Sequence, residues 1–408
     1  MRILFITQLF QPEEFFKGLP FAKELLKLGH QVEVLTGFPN YPEGKIYKGY
    51  KIKLFQKEII DGIPVIRVPL YPSHDKSGFR RFINYASFAF SAAIIGPWVV
   101  KKADVAYVYH PPGTIGFPAI IIKMLRRIPF VYDIQDLWPE SLAASGMFNC
   151  KLGLWLVEKW CRLVYMAAGR IVVLSQGFKK ALIERGVRSE KIKVIYNWVD
   201  DTKVKPTERD PALAAKFGLL GKFNVVFAGN MGKGQALESV LAAADILKKE
   251  SPCTHFVFVG TGVETEELKK RAHNMRLENV LFIPQQPMSE IGAILALADV
   301  LLVHLKNDSL YRITIPSKIQ AYLAVGRPIL VGVPGDATDL VVNAKAGLPC
   351  IPENVESIAD GVRKFLKMSQ QELDTMGENG RKFYQQELSL AVGTKRLAEV
   401  IESAILRP

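Results

Sequence analysis

Cysteine is scarce in this 408-residue chain, and its placement excludes two kinds of chemistry. Cys150, Cys161, Cys253 and Cys350 stand without CxxC spacing or histidine partners. Neither a disulfide frame nor a zinc site is expected, and buried thiols of a reducing cytoplasm fit better. HExxH and GxSxG are missing, which removes the motif support for metalloenzyme and hydrolase readings. No metal-spaced cluster appears, so no bound metal is expected. Collagen, coiled-coil and low-complexity signatures are absent. So is any RNA- or DNA-binding motif, and nucleic acid is not an expected partner despite a formal charge of +13. The opening MRILFITQLF has one cation and a short apolar run, which reads as a first buried strand rather than a signal peptide.

What is present fits a larger architecture. The length asks for two domains of roughly 200 residues each. In the first half, β-rich runs at Ile3–Thr7, Val32–Leu35, Val105–Tyr109, Phe130–Ile134 and Ile171–Leu174 alternate with helical periods. Asp61-Gly62 between two such runs marks a hairpin. A second series begins at Asn224–Phe227 and continues through 256–259, 280–283, 300–304, 329–332 and 348–351. Between the two lies NWVDDTKVKPTERDP, Asn197 to Pro211, polar and with two prolines, a natural linker. The expected fold class is α/β, with two Rossmann-like domains facing each other across a cleft. Ligands of such sheets bind at the carboxyl ends of strands.

Charge is uneven: 28 basic against 17 acidic residues through Asp201, then near balance. A basic first half suits an anionic bilayer or a phosphate-bearing acceptor. Phe82 to Val100 contains no charge and sits between Arg80-Arg81 and Lys101-Lys102, the length of a membrane span. Asn84, Tyr85, Ser87, Ser91, Gly96 and Pro97 dilute it, so a partly buried helix that touches lipid is expected instead.

Several segments carry chemistry. In TIPSKIQAYLAVGRPIL, Thr314 to Leu330, Pro316 and Ser317 fit a helix start and Lys318 adds a charge to its positive dipole end. That is an anion site, or an ordinary crossover with a solvated lysine. Gly229, Asn230, Lys233 and Gln235 follow the first strand of the second series, a phosphate-like cradle that is neither a Walker loop nor a dinucleotide fingerprint. Gly260-Thr261-Gly262, followed by Glu264, Glu266 and Glu267, reads as a structural turn. In the first half, the loop Gln8–Pro20 holds Glu13, Glu14, Lys17 and Gly18 before a helix. FVYDIQDLWPESL places Asp133, Gln135, Asp136 and Glu140 at and past a strand end, either for substrate and catalysis or for capping and packing. His110, also after a strand, is an acid, a base or a hydrogen-bonding loop residue.

With these pieces in order, the chain resembles the bacterial family-four glycosyltransferases over nearly its whole length. The resemblance rests on GHQVEVLTG (29–37), DLWPES (136–141), VVLSQGFKKALIERG (172–186) and KIKVIYNWVD (191–200), and most specifically on FAGNMGKGQ (227–235) and PSKIQAYLAVGRPIL (316–330). The loop FPNYPEGKIYKGY, 38–50, looks like the branch holding N-acetyl-L-fucosamine transferases of O-antigen and capsule assembly. It implies the GT-B fold, with residues 1–201 binding acceptor, 202–386 binding a UDP-sugar donor, and 387–408 returning to the first domain. It implies retaining transfer without cofactor or metal to a lipid-linked sugar, by a cytoplasmic enzyme held peripherally at the inner face of the plasma membrane. Lys17, Gly18, Gly229, Asn230, Lys233, Gln235, Pro316, Ser317 and Lys318 would flank the diphosphate. Asp136 is the first candidate at the reacting centre, with Asp133, Gln135 and His110 behind it. The sequence departs from many relatives at Asn230 and Gln235, where arginine and lysine are usual, and at Gln135, where HDLWP has histidine. It departs again at Ile313 and Ala321, where two glutamates are usual. A nucleotide-sugar epimerase and a non-catalytic UDP-sugar-binding scaffold remain as alternatives.

Overall fold

The computed structural model describes every residue except Glu14, Phe16 and the segments 74–77, 145–149 and 406–408. Glu14 of the first loop, and the last three residues of the returning segment 387–408, lie outside the described residues. The chain forms two compact units, Met1–Tyr196 with Gly393–Pro408, and Asn197–Val392.

The first unit is built on eight strands: β1 Arg2–Ile6, β2 Gln31–Gly37, β3 Gln56–Ile60, β4 Ile63–Val68, β5 Val105–His110, β6 Phe130–Ile134, β7 Arg170–Val173 and β8 Ile192–Val194. Their order in the sheet is β3-β4-β2-β1-β5-β6-β7-β8. All pairs are parallel except β3 with β4, whose hairpin turns at Asp61 and Gly62. Both turn residues have positive φ, as a two-residue turn matching strand twist requires. The parallel strands are apolar on both faces because helices cover each side, and β5 and β6 are buried at every residue. Phe5, Phe21 and Tyr107 meet ring to ring in this core, with centroids 5.2 to 5.7 Å apart.

The second unit is a six-stranded parallel sheet: β9 Phe223–Ala228, β10 Thr254–Val259, β11 Val280–Ile283, β12 Val300–His304, β13 Ile329–Gly332 and β14 Gly347–Pro349. Its order is β11-β10-β9-β12-β13-β14. Phe227, Phe258, Leu302 and Leu330 from the strands pack with Leu241, Leu247, Val362 and Phe365 from the covering helices.

Both sheets reverse strand order once, between β1 and β5 and between β9 and β12. Crossover helices leave in opposite directions there, opening a crevice at the carboxyl ends, which is where doubly wound sheets take ligands. The residues after β1, β5, β9 and β12 therefore border these crevices.

The division between the units falls after Tyr196 rather than Asp201. Residues 199–201 are tied to the second unit, since Tyr384 donates its hydroxyl proton to the Asp201 carboxylate and accepts from the Val199 N–H at 3.3 Å. The return to the first unit begins at Gly393, inside the helix Leu390–Ser403, rather than at 387. There Arg170 Nε donates to Ser403 Oγ at 3.1 Å.

Candidate active site

In the second unit β9 ends at Ala228 and the chain turns at Gly229, whose φ of 135° is a backbone few side chains adopt. A Cβ there would also lie 2.9 Å from Lys318 Cε. Lys318 is the second residue of the helix Ser317–Val325, which follows the switch-point strand β12 and feeds β13. Its ammonium sits 4.5 Å from the centre of the Phe227 ring and donates to Gln235 Oε1 at 2.7 Å. The side chain is half-buried, and that enclosure pushes its pKa down to about 8. Pro316 precedes the helix rather than opening it, and no side chain caps this end. The first amides are thus left to meet an anion. Gly229, Gln235, Ser317 and Lys318 come together here, while Asn230 and Lys233 are exposed on the same loop.

Three devices hold this cradle in place. Tyr322, one turn beyond Lys318, accepts from the Ala228 N–H at 2.9 Å, fixing the helix to the end of β9. His304, at the end of β12, accepts from the Glu353 N–H on Nε2 at 3.0 Å, so the proton lies on Nδ1 and is donated to the Gln235 carbonyl at 2.7 Å. Burial depresses its pKa, which keeps that neutral tautomer. The turn Gly260–Gly262 backs the loop: Met231 N–H donates to the Thr261 carbonyl at 2.9 Å, and a Cβ on Gly260 would lie 2.2 Å from the Gly229 carbonyl oxygen. Nothing in the sequence marks His304, which falls inside the strand run 300–304 and reaches a carbonyl 69 residues away. Gln320, beside Ala321, turns its amide onto the Pro316 and Ser317 carbonyls.

In the first unit Lys17 and Asp133 are placed together. Nζ lies 2.5 Å from Oδ2 and neither side chain has any exposure. Burial lowers the lysine pKa, against the pull of Asp133. The Tyr107 hydroxyl also donates to Asp133 Oδ2, at 2.5 Å, and Gln135 Nε2 donates to Oδ1 at 2.5 Å. Lys17, expected at the diphosphate, and Asp133 and Gln135, expected near the reaction, thus form a buried charged cluster under the carboxyl ends of β1, β5 and β6. Gly18 is the residue before the helix Leu19–Lys27.

Asp136 differs. Its side chain is exposed and its carboxylate has no hydrogen-bond partner among the described residues. Enough protein surrounds it to raise its pKa, and Tyr85 lies close enough to feel its charge. Buried side-chain atoms without a partner include Gln8 Oε1 after β1, His110 Nδ1 at the end of β5, and Arg81 Nε on the helix between β4 and β5. Gln8 donates to Asn84 Oδ1 at 2.6 Å, and Asn84 in turn donates to Asn40 Oδ1 at 3.2 Å. Glu13 Oε1 accepts from the Asn40 and Tyr41 N–H groups at 2.7 Å each, pinning the 38–42 loop. Arg185 donates to the Trp138 carbonyl at 2.8 Å and to Glu140 Oε1 at 2.5 Å, which joins the DLWPES and VVLSQGFKKALIERG segments.

His110 packs edge-on against Tyr132 and Trp138 with centroids 5.7 and 5.5 Å away. Burial pushes its pKa from 6.5 down to about 3, so it is neutral near pH 7 and is not poised as a proton donor. Below pH 6.5 the unfolded chain binds a proton that the folded chain refuses. Stability present above pH 6.5 is therefore lost on acidification towards 3, at about 1.4 kcal/mol per pH unit from this group. Denaturation across that range should show the slope, and His110→Gln should flatten it by that amount; an unchanged slope refutes the assignment.

Among the described residues no group of three or more His, Cys, Asp or Glu gathers as a metal site would. Residues 19–198 match the family described as glycosyl transferase 4-like domain, and residues 212–383 match glycosyl transferases group 1. The chain is a glycosyltransferase, with a glycosyl transferase 4-like half followed by a group 1 half. A putative colanic acid biosynthesis glycosyl transferase, WcaI of Escherichia coli K12, is 27% identical over 83% of this chain and 84% of its own. A probable glycosyltransferase, WbjE of Pseudomonas aeruginosa, is 23% identical over 78% of each. Among solved structures, Anabaena HepE in complex with UDP and glucose superposes with a TM-score of 0.70 at 18% identity, covering 98% of this chain and 99% of that one. The Escherichia coli trehalose-6-phosphate enzyme bound with UDP-2-fluoro glucose gives 0.74 at 12% identity, covering 98% and 99%. The glycosyltransferase thus has the GT-B fold, and its cradle after β9 sits in the group 1 half.

Proposed function

We propose that this glycosyltransferase moves an N-acetylated deoxyhexosamine, with UDP-N-acetyl-L-fucosamine as first donor, onto a polyprenyl-diphosphate-linked sugar during O-antigen or capsule assembly. The carrying observation is the Lys318 ammonium at an uncapped helix start, beside Gly229 and Gln235 at the switch point of the second sheet. Cation and amides together suit a diphosphate. HepE, of the same fold, binds UDP and UDP-glucose. The relative named for colanic acid biosynthesis supports a polysaccharide pathway.

In the proposed transfer the bond from the anomeric carbon to the β-phosphate oxygen breaks, and the acceptor hydroxyl oxygen bonds to that carbon on the same face. Its proton passes to the departing phosphate, so no protein base is required. Lys318 and the helix start stabilise the negative charge that develops, and no metal is called for. The unpaired Asp136 carboxylate orients a hydroxyl at the reacting centre. A lipid-linked acceptor places the enzyme at the inner face of the plasma membrane.

UDP release from a panel of UDP-sugars, with and without lipid-linked acceptor, tests this. Acceptor-dependent release is expected. A mixture of sugar nucleotides formed without acceptor would instead indicate an epimerase, and tight UDP binding with no turnover on any pair a scaffold.

A further inference from the structure

Among the described residues, eleven of the 26 exposed large hydrophobics lie on three helices of the first unit, Gly78–Val99, Gly116–Arg126 and Lys151–Ala167. On the first of these Phe90, Ile94 and Trp98 are 58, 66 and 80% exposed. Their i, i+4, i+8 spacing makes one outward stripe. The opposite face, with Phe88, Ala92 and Gly96, is buried in the fold, so this helix lies along the surface and does not cross a membrane in this conformation. The three helices are continuous with one another. Phe90 meets Phe117 at 5.3 Å, Phe117 meets Trp160 at 6.4 Å, and Lys123 Nζ donates to the Ala167 carbonyl at 2.7 Å. Met124 and Leu125 extend the patch on the second helix, and Trp155 and Met166 on the third.

Charge settles what covers this face. From 78 to 102, 116 to 127 and 151 to 167 the sequence holds ten Lys or Arg and a single acid, Glu158. An apolar patch of this extent rimmed by cations matches an anionic bilayer: aromatic and aliphatic side chains enter the acyl boundary and Lys and Arg meet headgroup phosphates. We infer that these three helices form one monotopic docking face for anionic lipid. The inference deepens the functional reading above, on which it rests for the acceptor's location, while its observations are independent of the donor cradle.

Flotation of the full chain with phosphatidylcholine vesicles, with and without phosphatidylglycerol, tests it alongside the Trp98→Ser/Trp155→Ser variant. Both tryptophans are exposed, so the variant should keep its circular dichroism and melting temperature. Wild type should float with the anionic vesicles, and both the double substitution and omission of anionic lipid should lower the bound fraction about tenfold. UDP release in detergent with a water-soluble acceptor should not change. Equal flotation of variant and wild type, or none by wild type, overturns the docking face, as does a wild-type dimer that the substitutions dissociate. Loss of UDP release with vesicle binding intact would instead overturn only the enzymatic reading.

Discussion

Replacing Lys17 with methionine should lower the unfolding free energy by about 3–5 kcal/mol, because it strands a carboxylate where water does not reach. Asp133 has no exposure, and its ammonium partner lies 2.5 Å away. Tyr107 and Gln135 would remain as donors, but neither supplies charge. Methionine keeps most of the lysine's volume, so packing loss contributes little. The double replacement Lys17→Met/Asp133→Leu should recover part of the loss, since an apolar pair does not need to be solvated. Urea unfolding of the two variants measures both effects, and a loss below about 1 kcal/mol for the single variant would show that the pair is not holding the fold. Because Asp133 is three residues before Asp136, the single variant should also loosen the loop that presents Asp136.

Lys318→Ala should cut kcat/KM for a UDP-sugar by about 10²–10³. The ammonium is enclosed by Phe227, Gly229 and Gln235, so its field is less screened than that of a surface lysine. Lys233, exposed on the same loop, should matter much less when replaced by alanine. With its pKa pushed down to about 8, Lys318 is charged below that value and neutral above it. UDP affinity should therefore fall as pH rises through 8 in the wild type, and this dependence should vanish in Lys318→Ala. Calorimetry with UDP at pH 7 and 9 reads both; unchanged affinity in the Lys318 and Lys233 variants alike would sink the phosphate-site assignment.

The two Rossmann sheets were legible because parallel strands buried on both faces make continuous apolar runs, separated by helical periods. Gly229, Gln235 and Lys318 were legible because glycines and a lysine at helix starts after strands have a local physical meaning. Short edges were not. β8 is three residues with one lysine inside, too short for any period to register. Nor was the Lys17–Asp133 pair, whose members are 116 residues apart and meet only through sheet order. The family resemblance sets Lys17 beside the diphosphate, whereas its burial comes from Tyr107 and Asp133 on other strands. The Lys318–Gln235 contact spans 83 residues, and local sequence likewise carries no sign of it as a bond.

The helix Ser317–Val325 begins after a proline that has no side-chain acceptor to offer. A missing N-cap of this kind costs a helix about 0.5–2 kcal/mol. Serine or aspartate at 316 would remove that cost by closing on the amides from within, and would put an oxygen where a phosphate oxygen would otherwise go. Thermal robustness and anion affinity are thus opposed at one position, so a search for stabilising substitutions in this protein would be drawn to residue 316 and would be misled there.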